Sequence, residues 1–111
     1  MSTFAQSTHF RNVRNTVQNF TSGIALVTGY VVTNTTAATV YMQIFDLDAA
    51  SVTLGTTVPM LSFPVTATNV GSIFFGTMGV SFNTKMSGAV TTTVEGSADP
   101  GTGVFVQIVM R

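Results

Sequence analysis

The sequence predicts an all-β chain folded as a single β-sandwich of seven or eight short antiparallel strands, jelly-roll or Ig-like in size. Three observations predict it. Twenty threonines, nine phenylalanines, ten glycines and many valines favour strands and turns over helices. Apolar side chains recur with a period of two over several stretches. Turn-forming clusters interrupt those stretches at the short spacing of a sandwich. A length of 111 residues suits one domain.

The elements follow in order. Residues 1–9 are mostly small and polar, and 1–11 read as a tail that orders only against a partner, which leaves 12–111 as the sandwich. Deleting 1–11 is accordingly expected to spare the fold and weaken attachment to that partner. Around 12–20, Phe10, Val13, Val17 and Phe20 have helical spacing. Their neighbours Asn12, Asn15, Thr16 and Asn19 compete for backbone hydrogen bonds and disfavour a helix, so strand is the reading. After the break at Thr21-Ser22-Gly23 a strand is expected over 24–34, and another over 38–47 beyond Asn34-Thr35-Thr36. Breaks at 51–57 and 67–71 delimit a strand over 59–65 and one or two strands over 72–82. Asn83-Thr84 precedes a strand over 87–95, and the loop 96–103 leads to a last strand over 103–110.

Several of these strands are apolar on both faces. Val40, Met42 and Ile44 alternate with Tyr41, Gln43 and Phe45; Phe74 opposes Phe75; Val104, Val106, Ile108 and Met110 oppose Phe105, Gln107 and Val109. A sandwich strand with one wet face reads polar there. Isolated exposed apolar residues are ordinary, but the repetition leads to the expectation that another subunit covers the outer face of at least one sheet.

Charge supports that expectation. Asp, Glu, Lys and Arg make up 7% of the chain, against roughly 25% in soluble domains. By mass scaling the folded chain exposes about 5,900 Å², so eight charges give one per roughly 700 Å², close to the ~800 Å² that each partner contributes to a standard interface. Almost any binding-sized patch can therefore be buried at the expense of about one charge. Four basic residues, Arg11, Arg14, Lys85 and Arg111, are too few for a nucleic-acid footprint. No apolar run approaches the ~20 residues of a membrane span, and the first residues lack the pattern of a secretory signal. The absence of cysteine excludes disulfides and thiolate metal sites.

Little in the sequence supports catalysis. His9 is the single histidine and falls in the polar tail, and no G-x-S-x-G surrounds any serine. Asp46-Leu47-Asp48 would place two carboxylates about 7 Å apart on one strand face, where oxygen ligands suit Ca²⁺. Aspartate at a strand end also commonly bonds the backbone of the following turn, and that is the favoured reading, with no cofactor expected. Arg11 and Arg14 are candidates for intersubunit pairs with Glu95 or Asp99. The sequons at Asn19 and Asn34 are what chance yields in a threonine-rich chain.

From about residue 13 to the end, the order of elements resembles a group of small β-sandwich proteins of tailed-phage structural gene clusters, the capsid decoration (cement) and head-fibre proteins. The stretches that carry the resemblance are GIALVTGY at 23–30, VTNT at 32–35, VYMQIFD at 40–46 and GTTVP at 55–59 leading into 61–65. They continue with VSF at 80–82, GAVTT at 88–92, Ala98-Asp99 and the closing run 104–111. At 49–54 the run AASVTL departs from the Lys and Asp that such chains carry between strands. The resemblance implies a protein of the virion surface, often trimeric, that clamps neighbouring major capsid protein subunits. On that footing the contact residues are expected among Phe4, His9, Phe10, Arg11 and Arg14 of the tail, with Tyr41, Phe45 and Phe74 or Phe75 as outward aromatics. A head-fibre or tail-associated receptor or glycan-binding module is the alternative. It would want aromatic platforms on loops, whereas the loops here are mostly Ser, Thr, Gly and Ala without Trp.

Overall fold

Alternating apolar side chains need two partners, a core on one side and cover on the other, and the fold supplies the core by stacking two antiparallel sheets. The computed structural model describes residues 6–76 and 78–110. Among these the strands are β1 (Gln6–Val13), β2 (Gln18–Asn19), β3 (Ala25–Asn34), β4 (Val40–Asp46), β5 (Leu61–Val65), β6 (Asn69–Phe74), β7 (Val80–Phe82), β8 (Met86–Thr91) and β9 (Val104–Met110). A single 3₁₀ turn, Ala49–Ser51, follows β4. The larger sheet runs β1-β9-β3-β6, with β7 also on β3; the smaller runs β2-β8-β4-β5. Six of the eight connections change sheet, so most contacts join residues distant in sequence.

Register puts the apolar rows inside. β9 pairs antiparallel with both β1 and β3, Ile108 facing Thr8 and Tyr30. β4 lies between β5 and β8, with Met42 opposite Phe63 and Val90. Between the sheets lie Val27, Tyr30 and Val32 of β3, Met42 and Ile44 of β4, Met86 and Val90 of β8, and Val104, Val106 and Ile108 of β9, all buried. Tyr30 fills the middle, its ring 5.2 Å from that of Phe63 and 5.9 Å from that of Phe75. The accessible surface is 5703 Å², close to the value that mass alone predicts.

Three expectations change. Residues 6–11 are not a tail: they belong to β1, paired with β9 from Gln6↔Met110 onward. Phe10 packs on the core, its ring 4.9 Å from Phe20. Deleting 1–11 would therefore strip most of an edge strand and bare β9, so the fold is not expected to survive it intact. The single strand expected over 12–20 is split, because Asn12 adopts a left-handed conformation (φ 57°) that bulges the end of β1, and the chain then crosses to the smaller sheet as β2. The stretch 72–82 resolves into the end of β6 and all of β7, pairing with successive parts of β3.

Candidate functional site

The outer faces of the two sheets differ in kind. On the smaller sheet Tyr41, Gln43 and Phe45 point away from the core, beside Thr91, Ala89 and Ser87 of β8. Water reaches this row only at Tyr41, which is half-buried; Gln43, Phe45, Ala89, Ser87 and Thr91 are all buried. The cover comes from the chain itself. The β8–β9 connection folds back so that Gly96 O accepts from Gln43 Nε2 at 3.0 Å and Ala98 O from Thr92 N at 3.1 Å. Ser97 O accepts from Asn15 Nδ2 at 3.2 Å. The β4–β5 connection meets it, with Gly55 beside Ser97, and is anchored by Ala49 N on Asn19 Oδ1 at 2.9 Å. Phe45 is thus not an outward contact residue, because these connections bury it. The apolarity of this strand on both faces needs no neighbour.

Ion pairs form in the connections between strands. Arg14 grips Asp99 through two hydrogen bonds, Nε to Oδ1 at 3.0 Å and Nη2 to Oδ2. The pair lies within one chain, not between subunits. The guanidinium holds the Asp99 carboxyl below the usual carboxylate range, helped by Gly101 N. Lys85 Nζ lies 2.6 Å from Asp48 Oδ2 and holds that carboxyl low in the same way. Asp46 accepts from Asn83 N and Thr84 N at 3.0 and 2.9 Å, and Asp48 caps the 3₁₀ turn through Ala50 N at 3.0 Å. Both aspartates thus serve turns. Among the described residues, no three His, Asp or Glu side chains gather where they could hold a metal ion.

Around the Arg14–Asp99 pair opens a recess of about 480 Å³ lined by Asn12, Asn15, Thr16 and Gln18. None of its lining residues is aromatic, so it offers no platform on which a sugar ring could stack. The Asn34 sequon is closed to modification, since the side chain is buried and its amide is fully used by backbone carbonyls.

The outer face of the larger sheet is open and almost uncharged. Phe74 and Val70 of β6 are 72% and 57% exposed, and Phe105 of β9 is 38% exposed. Phe105 lies beside His9 of β1, ring centroids 6.0 Å apart. Half-buried Val31 of β3 sits between Gln107 and Ser72 in the ladder. Across all five strands of this sheet a single Asp, Glu, Lys or Arg appears, Arg11, exposed on the edge strand β1 beside the imidazole of His9. Of the residues expected to make contacts, the structure therefore brings His9, Arg11 and Phe74 to this face. It withdraws Phe10 and Phe75 to the core and commits Arg14 to Asp99. Phe4 lies outside the described residues.

Val70 and Phe105 were not among the expected contacts. Phe105 was signalled by its place opposite the Val104–Met110 row. Val70 was hidden by the turn-like Asn69 and Gly71 on either side.

No protein-family model and no curated protein matches the chain. Among solved structures, the chain is similar to a chain of the cyanophage Pam1 capsid asymmetric unit, at 22% identity and a TM-score of 0.29, over 96% of this chain and 80% of that one.

Proposed function

We propose that the chain is a virion structural protein, a capsid decoration (cement) protein that binds the major capsid protein on the outer surface of a phage head and stabilises it. It acts without a cofactor and is not an enzyme. It works as a homo-oligomer, the trimer being the form the family resemblance implies. The observation that carries the reading is the exterior: eight charges in 111 residues, with one broad apolar face bare and the polar recess lacking any platform for a sugar. Such a surface suits permanent cover by protein far better than free solution.

Adhesion follows from area. Apolar surface removed from water yields ~25 cal/mol per Å² gross, from which the ordering costs of association are subtracted. Linking copies then multiplies a modest single-site affinity, because the second contact forms at high effective concentration. The experiment is sedimentation of the purified chain with intact heads and with heads stripped of accessory proteins. Saturable co-sedimentation with stripped heads, and their greater resistance to heating once loaded, are the expected results. A chain that stays in the supernatant with both kinds of head has some other role.

A further inference from the structure

We propose that the outer face of the larger sheet is covered by the same face of a second copy of this chain, which leaves the ion-paired side free for the capsid. The inference rests on the decoration reading for what lies on that other side. The division of charge carries it. Asp46 lies in β4 and Asp48 in the β4–β5 connection of the smaller sheet, while Arg14, Lys85, Glu95 and Asp99 lie in connections that cross between the sheets, and none of the six stands in a strand of the larger sheet. Of Asp, Glu, Lys and Arg the five strands of the larger sheet hold Arg11 alone, on the edge strand β1 that also carries His9.

An uncharged apolar face discriminates among partners. An ordinary protein surface, with roughly a quarter of its residues ionised, would lose hydration there and meet no countercharge. A second copy of the same face brings one such group, Arg11, on its edge strand β1. The contact is then self-complementary and two-fold, so this face joins copies in pairs, in place of the three-fold contact of the trimer that the family resemblance implies. The area also suffices. The molecule measures 38 × 28 × 19 Å, so its broad side offers at most roughly 1,000 Å² per copy, above the ~800 Å² of a standard interface.

The test is sedimentation velocity of the full chain and of single variants across a concentration series, with urea unfolding of each as a check on folding. Phe74→Glu and Val70→Glu put a charge on the face at exposed sites of the edge strand β6. Val58→Glu and Val94→Glu put the same charge on equally exposed sites in the connections over the smaller sheet. The wild-type chain is expected to sediment as an oligomer. Each β6 variant should shift it at least tenfold in concentration towards the 11.7 kDa single chain, and the two connection variants should not. A wild-type chain that stays single at high concentration overturns the proposal, as does an oligomer indifferent to both β6 variants. Should the β6 variants keep the wild-type mass but lose co-sedimentation with stripped heads, the face belongs to the capsid: this inference fails and the decoration reading stands. If instead they become single chains and no form of the protein ever binds heads, this inference holds and the decoration reading fails.

Discussion

The ring of Phe74 rests on the bare backbone of Gly29. A methyl group placed on Gly29 would stand 2.8 Å from Phe74 Cδ1 and 2.6 Å from the Ile73 carbonyl oxygen. The two residues are ladder partners in β3 and β6. The absent side chain is what lets a large aromatic ring lie down on an open sheet face. Gly29→Ala must displace either that ring or the β6 backbone, and backbone in a ladder yields poorly. A loss of about 1–3 kcal/mol is expected, typical of overpacking, with the urea midpoint lowered and the slope unchanged. A variant as stable as wild type would show that β6 is free to slide.

Asn34 joins two turns from inside. Its amide nitrogen donates to Ala38 O, Val65 O and Thr66 O at 2.9, 3.0 and 3.1 Å, and its Oδ1 accepts from Thr36 N and Thr36 Oγ1 at 2.9 and 2.7 Å. Asn34→Asp keeps the shape but aims an acid at three carbonyl oxygens, and burial favours its neutral form. The folded pKa of the new carboxyl is then raised above its unfolded value. Stability is retained below the unfolded value and lost as pH rises through the folded one. The variant should therefore be markedly weaker at pH 7 than at pH 4 relative to wild type. Asn34→Ala should cost about 1–3 kcal/mol through the unpaired carbonyls, with no such pH dependence. Equal penalties for Asn34→Asp at both pH values would contradict this account of the site.

What could be read from the residues follows from where each strand finds its partners. β4 and β9 are central strands with unbroken alternation and β3 is a central strand whose alternation shifts once, between Val27 and Gly29; the bounds of all three lie within two residues of expectation. β1 escaped because an edge strand buries little. Ser7, Thr8, His9, Arg11 and Asn12 hide a pattern in which Phe10 and Val13 alone face the core. Phe45 misled for the opposite reason: a strand's own pattern shows that a second face is apolar, not that loops forty or fifty residues away will cover it. The D-x-D pair was legible as turn chemistry, since an aspartate at a strand end lies next to free backbone N–H groups. The open face was half legible. The row containing Phe105 was visible, whereas Val70 looked like part of a turn.

Tyr30 supplies a case in which removing a polar group should help. Its hydroxyl is buried with no hydrogen-bond partner among the described residues, and burial pushes the phenol well above its ordinary pKa. A desolvated, unpaired hydroxyl costs stability that a phenylalanine does not. Tyr30→Phe is therefore expected to be neutral or up to about 1 kcal/mol more stable at pH 7. The raised folded pKa means that stability is present below the unfolded value near 10 and is lost as pH rises beyond it. The advantage of Tyr30→Phe should accordingly widen above pH 10 in unfolding curves. A loss of a kcal/mol or more at pH 7 would reveal a hydrogen bond to that hydroxyl.

Arg14 and Asp99 tie the β8–β9 connection to the end of β1, and their pairing should be visible in acid. The Asp99 carboxyl is held below its usual range first by Arg14 and then by Gly101 N. With the folded pKa depressed, the stabilisation is present above the unfolded value of about 3.9 and fades as pH falls through the folded one. Asp99→Asn should thus be less stable than wild type at pH 7, and the gap should close by pH 2. Because the pair is exposed, the effect is small and screened, and raising salt at pH 7 should narrow the same gap. Hydrogen exchange should quicken in the connection over Gln43 and Phe45 if the pair is what holds that cover down. A gap that persists unchanged at pH 2, or faster exchange confined to β9, would locate the cost of Asp99→Asn in something other than this ion pair.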